Sequence, residues 1–205
     1  MSMVSRRGAF DRVRRVWIAG LVLALVLAGA PAFAPLARAQ ERERPIPYSD
    51  NELIGSGHRF FGGLARGLAE AIQSATKRWG QPNAYVLGQE AGGAFFGGLR
   101  YGEGTMYTRN AGDKKVFWQG PSLGADFGAD GDRTMMLVYN LPSTDAIFDR
   151  FGGLDGSAYL VGGFGITALG ANGILVVPIR TGLGARLGVN LGYLKFTRNS
   201  TWNPF

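Results

Sequence analysis

The sequence predicts a mainly β fold: a small closed or nearly closed antiparallel barrel of about ten strands, with an N-terminal amphipathic helix and a short helix between strands. Three observations predict it. Short β-branched and aromatic runs recur at near-regular spacing from Tyr85 to Thr197, punctuated by Gly-, Asn- and Asp-rich turns. Many of the 33 glycines fall inside those runs, where a missing side chain marks a bulge, a bend or a close backbone approach, as a small barrel requires in order to close. Apolar residues at helical spacing occur outside those runs, in two places.

The chain opens on an export signal. Arg6, Arg7, Arg12, Arg14 and Arg15 form a basic region, Val16 to Ala30 is an uncharged apolar run of 15 residues, and Ala37-Arg38-Ala39 is a small-x-small cleavage site. The run is shorter than the ~20 residues that cross a bilayer, so residues 1–39 are expected to be a signal peptide cut after Ala39. That placement changes the charge balance. The whole chain carries 22 Lys and Arg against 15 Asp and Glu, but six of the basic residues and one acidic residue lie in the leader, which leaves 16 against 14. A mature net charge of +2 removes the electrostatic reason to expect nucleic-acid binding. There is no cysteine, so the oxidising periplasm is not used for disulfides.

Residues 40–59 mix alternating charge with two prolines and read as a polar linker, which leaves 60–205 as one small barrel domain. Leu64, Leu68, Ile72, Ala75 and Trp79 share a helical face that Gly80 and Pro82 terminate. Strands are then expected at 85–87, 95–101, 105–108, 116–118 and 134–139, with Gly102-Glu103-Gly104 as a turn. Ser143 to Phe151 reads as a two-turn helix with a capping serine and a Gly152-Gly153 stop. Further strands are expected at 158–161, 164–169, 174–179, 184–189 and 191–197. The uncharged stretch Ser157 to Ile179 is better explained by buried strands than by a membrane helix, given its glycines and the run Ile174 to Val177.

Catalytic motifs fail on context. Gly120-Pro-Ser122-Leu-Gly124 matches a nucleophile elbow, but turn residues rather than a helix follow it, and His58, the one histidine, lies upstream. Asp126-Phe-Gly128 lacks the other kinase motifs. Asp126, Asp130 and Asp132 lack the glutamate of a calcium loop. Gly162-Gly-Phe-Gly165 and Gly182-Leu-Gly-Ala-Arg-Leu-Gly188 precede strand patterns, so no helix N-terminus follows to hold a phosphate. Glu90 and Glu103 are candidate carboxylates without a visible partner. No enzymatic activity, cofactor or metal is therefore expected.

Several motifs together resemble the envelope integrity protein A family of Gram-negative bacteria: Asn83-Ala-Tyr85, Gly88-Gln-Glu-Ala-Gly-Gly-Ala94, Gly98-Leu-Arg-Tyr-Gly102, Trp118-Gln-Gly-Pro-Ser122, Leu137-Val-Tyr-Asn-Leu141, Gly156-Ser-Ala-Tyr159, Pro178-Ile-Arg-Thr-Gly182, Gly192-Tyr-Leu194 and Asn203-Pro-Phe205. The resemblance implies an exported soluble barrel with packed helices that supports envelope integrity in the periplasm through an unknown envelope component. It implies no catalytic residues. The order Trp118 to Gly124, Leu137 to Asn140, a helix, then Gly152-Gly153 is similar to the SYLF lipid-binding module. A lipid is thus a second candidate partner: a small barrel can hold one apolar ligand, and Arg100, Arg180 and Arg186, with Trp118, are candidate contacts for it or for a protein partner. The alternative for the arginines is a solvated strand face. Phe95, Phe96, Trp118, Tyr139 and Tyr159 are expected to fill the interior. An outer-membrane barrel and a Ser122 hydrolase are the remaining, weaker readings.

Overall fold

The computed structural model describes residues 44–62, 67–93, 98–121, 132–154, 158–180 and 192–203. Two helices, α1 (Asp50–Phe61) and α2 (Leu68–Trp79), precede ten strands: β1 (Ala84–Gly93), β2 (Leu99–Tyr107), β3 (Lys114–Pro121), β4 (Asp132–Tyr139), β5 (Arg150–Gly153), β6 (Tyr159–Val161), β7 (Phe164–Ile166), β8 (Leu169–Ala171), β9 (Ile174–Arg180) and β10 (Tyr193–Thr197). Every strand pair is antiparallel. The order β4-β1-β2-β3-β10-β5-β8-β9 returns on itself through β4–β9, so eight strands close a barrel and the β6–β7 hairpin extends it from β9.

Alternation along the strands creates two apolar layers, because successive side chains point to opposite faces. Ala84 and Val86, Met136 and Val138, Val116 and Trp118, Leu194 and Phe196, Ile174 and Val176 share the barrel interior with Met106, Phe151 and Leu169. Tyr85, Met135, Leu137, Tyr139, Val177 and Ile179 point outward and are covered by Leu53, Phe61, Leu68, Ala71, Ile72 and Ala75 of the helices. On the part of the wall away from the helices, the outward positions include Glu103, Lys115, Arg150 and Lys195. An apolar inside with charge outside is the reverse of a membrane barrel's lipid-facing surface.

The stretch expected to be a linker contains α1. The Glu52 carboxylate accepts from the Ser49 backbone N–H at 2.9 Å and its hydroxyl at 2.6 Å, as part of a capping box. Leu53, Gly57 and Phe61 then repeat every four residues and are buried. The segment before α1 is also pinned, by Tyr48 N–H to Pro82 O at 2.8 Å and by the Asn83 amide to Pro45 O at 3.2 Å. Polar composition hid a narrow apolar stripe. The helix expected from Phe60 begins, as described, at Leu68, after an αL Gly67.

The expected helix Ser143 to Phe151 is one 3₁₀ turn, Thr144–Ile147. Residues 150–153 instead form β5, which pairs with β10 and β8 and points Phe151 inward against Phe196. Barrel closure supplies partners that a short isolated helix lacks. Gly102-Glu103-Gly104 is not a turn but the middle of β2, so two expected strands merge. The expected strand 164–169 divides into β7 and β8. Hairpin turns fall at Gly162-Gly163 and at Asn172-Gly173, all four residues with positive φ, as two-residue hairpins require. The former thus joins β6 to β7 and does not bend the barrel. Ser157 to Ile179 contains strands, and no helix among the described residues is long and apolar enough to cross a membrane. The strand expected at 184–189 and the leader lie outside the described residues.

Candidate functional site

One end of the barrel interior is apolar and the other is charged. At the apolar end Leu141 and Ile147, from the segment after β4, are buried with the interior cluster. At the other end the inward positions carry Glu90 on β1, Arg100 on β2, Trp118 on β3, Thr134 on β4 and Arg180 on β9. The register brings them together: Gly102 lies opposite both Glu90 and Trp118, and Thr134 lies opposite both Gly88 and Arg180.

Glu90 is the centre of this cluster. Its Oε2 accepts from Trp118 Nε1 at 3.0 Å, and its Oε1 lies 3.4 Å from Arg100 Nη1 and 2.5 Å from Arg180 Nε. The carboxylate is only 8% exposed and the two arginine side chains 19% and 17%. Burial pushes the Glu90 pKa up, but the charges of Arg180 and then Arg100, with the hydrogen bond donated by Trp118, outweigh it and hold the group below its ordinary value. Arg100 is anchored further by Nε donating to Pro121 O at 3.0 Å. The Arg180 contact is a close approach of charges without hydrogen-bond alignment. Its Nε and Nη2 are buried and find no aligned acceptor, and the buried Thr134 hydroxyl also lacks a partner.

Three of the four expected contact residues, Arg100, Trp118 and Arg180, thus converge. They do so inside the barrel rather than on a solvated strand face. Trp118 is fully buried, so it cannot be a surface contact and acts through Glu90. Arg186 lies outside the described residues, as do Phe95, Phe96, Ser122, Asp126, Asp130 and the loop from Gly182. Tyr139 is not in the interior: it belongs to the layer under the helices, and Tyr159 packs against that same layer. Glu90, expected without a partner, has three, and Thr134 had no signal in the sequence. His58 is on α1 rather than in a linker.

A second concave feature lies on the outer wall. Ser56, Arg59 and Phe60 of α1 and Tyr85, Leu87 and Tyr107 of β1–β2 line a groove of about 330 Å³. Tyr85 and Tyr107 stack at 5.1 Å, and Tyr85 meets the Ser56 hydroxyl at 3.2 Å. Among the described residues no group of three or more His, Cys, Asp or Glu side chains is placed to hold a metal ion.

Comparison with known proteins agrees with this architecture. A family model described as Envelope integrity protein A matches residues 47–205. A crystal structure of a beta-barrel-like, uncharacterised protein from Brucella abortus is 56% identical, covers 78% of this chain and 99% of its own, and superimposes with a TM-score of 0.72. No curated protein matches the chain.

Proposed function

Because the chain belongs to the envelope integrity protein A family, we propose that it works in the periplasm as a non-enzymatic protein that supports the cell envelope by interacting with an envelope component. The observation that carries this reading is the commitment of Glu90. A general acid or base must exchange its proton near neutral pH, whereas Glu90 is held ionised with both oxygens engaged. The charge buried in the barrel therefore serves closure: through one carboxylate it ties β1, β2, β3 and β9 together. The leader, residues 1–39, supports export.

Fractionation of cells that make the protein, and loss of its gene, test this. Fractionation by osmotic shock is expected to release a chain beginning at Gln40, and loss of the gene to sensitise cells to detergents and cell-wall antibiotics. Recovery of the protein in the cytosol, or unchanged tolerance, overturns the reading. Labelling by a serine-reactive probe, abolished in Ser122→Ala, would replace it with a hydrolase.

A lipid-binding carrier or sensor is the second reading, and the pair Arg100 and Arg180, two cations around one carboxylate at the charged end of the barrel, favours it. Trp118, Met106, Met136, Phe151 and Phe196 occupy the interior, none more than 2% exposed. An acyl chain would therefore lie outside the barrel, and the rim would grip the head group.

A further inference from the structure

The wall away from the helices carries a row of opposed residues, Tyr101, Gln119, Lys195 and Arg150, across β2, β3, β10 and β5. Neighbouring strands lie about 4.8 Å apart, so the row is roughly 15 Å wide. The next outward row sets Phe117 between Glu103 and Thr197. Beyond β10 the chain turns back over this wall and is held there. Gln119 Nε2 donates to Thr197 Oγ1 at 2.8 Å, Thr197 Oγ1 donates to Asn199 O at 2.8 Å, and the Tyr101 hydroxyl donates to Trp202 O at 3.0 Å. The Tyr101 and Trp202 rings meet edge to face at 4.9 Å. Trp202 is nevertheless 75% exposed, the most exposed large apolar side chain among the described residues.

An indole left in water forgoes the stabilisation that burial would give it, and fixing it there prepares it for a surface that covers it. The charges around it select that surface. The outward charges of β2, β3, β5 and β10 are Lys115, Arg150 and Lys195 against Glu103 alone, whereas over residues 40–205 they nearly cancel, 16 against 14. Cations here lie over rings: Arg150 over Tyr193 at 4.7 Å, Lys115 over Phe117 at 5.3 Å and, just past β10, Arg198 over Phe148 at 4.4 Å. Amphipathic rings beside long cationic side chains suit a membrane–water interface, where the rings sit at head-group depth and the charges meet lipid phosphates.

We propose that this wall docks on an anionic phospholipid bilayer, with Trp202 as its anchor and Arg150 among its cations. The contact is peripheral, since the wall lacks the apolar band of a spanning barrel. The inference rests on the envelope reading and names the envelope component.

The probes are vesicles of phosphatidylglycerol or phosphatidylcholine, and soluble polyglutamate, added to purified protein. The readouts are co-sedimentation and the tryptophan emission maximum. Phosphatidylglycerol vesicles are expected to sediment the protein and shift its emission to shorter wavelength, and phosphatidylcholine vesicles to do neither. Raising salt from about 0.1 to 1 M, which shortens the screening length from about 10 to 3 Å, should release it. Trp202→Ala should weaken binding roughly tenfold and remove the emission shift although Trp79 and Trp118 remain; Trp202→Phe should largely restore sedimentation. Arg150→Gln should weaken binding roughly fivefold, the equivalent of about 1 kcal/mol for one cation near an anionic surface. Both side chains are exposed, so an unchanged Tm in each variant keeps the comparison one of binding. No sedimentation by phosphatidylglycerol, equal sedimentation by phosphatidylcholine, or binding unchanged by Trp202→Ala overturns the surface. Tighter binding to polyglutamate, without an emission shift, replaces the bilayer with an acidic macromolecule. An envelope defect on loss of the gene would stand in each of those cases, so the two failures are distinguishable.

Discussion

The Trp118 indole reaches Glu90 by lying across Gly102, the residue opposite both of them on the strand between. A Cβ built on Gly102 collides with Cε2, Nε1 and Cζ2 of that ring. The glycine is there for close approach, since its φ is not in the left-handed region.

Gly102→Ala should therefore force the indole off Glu90. Overpacking of this kind costs about 1–3 kcal/mol, or roughly 2–4 °C of Tm per kcal/mol in a domain of this size. Thermal unfolding followed by tryptophan fluorescence checks it. An unchanged Tm and emission maximum would show that the ring does not depend on the gap.

Glu90 predicts an acid dependence. Its folded pKa lies below the ordinary value of 4.5, so the folded state favours the ionised form. That stabilisation is fully present above the ordinary value and is lost as pH falls through it toward the folded value. Glu90→Gln should cost about 3–5 kcal/mol at neutral pH, because two arginines lose their buried counter-charge, and should flatten the loss of stability in acid. Glu52 and Asp145 are shifted in the same direction but lie on the surface, so a shallow slope should remain. Denaturant midpoints for both proteins between about pH 3 and 7 test the sign. Equal slopes would remove Glu90 from the account.

Asn83 predicts local release. Its amide donates to Pro45 O and, at 2.8 Å, to Leu141 O, while its carbonyl accepts from Leu141 N–H at 3.0 Å. The residue is 7% exposed. Asn83→Ala strands these buried groups and should cost about 2–4 kcal/mol. The Tyr48 amide, bonded to Pro82 O, should then exchange faster than the α2 amides. Uniform acceleration throughout the domain would instead mean global destabilisation alone.

Gly173 isolates a backbone effect. Its φ is +78° and no atom lies within 4 Å of a Cβ built there, so Gly173→Ala should cost only the left-handed penalty, about 1–2 kcal/mol. Urea unfolding measures it. A cost near zero would mean that the β8–β9 turn reshapes freely.

Several local features were legible without coordinates. Alternation predicted most strands, as at Thr134 to Tyr139, because period two survives wherever one wall face is buried. The glycine content announced a tightly bent barrel. The α2 stripe was visible from Leu68 to Trp79. Misreadings came where tertiary partners overrode local preference: β5 has helix-like flanks yet is claimed by β10 and β8, and Gly102-Glu103-Gly104 looks like a turn yet runs straight beneath Trp118.

The candidate site divides in the same way. Arg100, Trp118 and Arg180 could be singled out by residue type, but they lie 18 and 62 positions apart in sequence, and only strand register sets them around Glu90. Nor could composition say which face each one occupied, since a shift of one residue turns a side chain from interior to solvent. Thr134, opposite Arg180 in the register, had no sequence signature at all. By itself the sequence determined the β periodicity and the small-barrel class, because these rest on local spacing and composition. Closure through β4–β9, the sharing of one carboxylate by two arginines and the burial of the tryptophan were decided only by the tertiary structure, because each depends on which distant strand lies opposite.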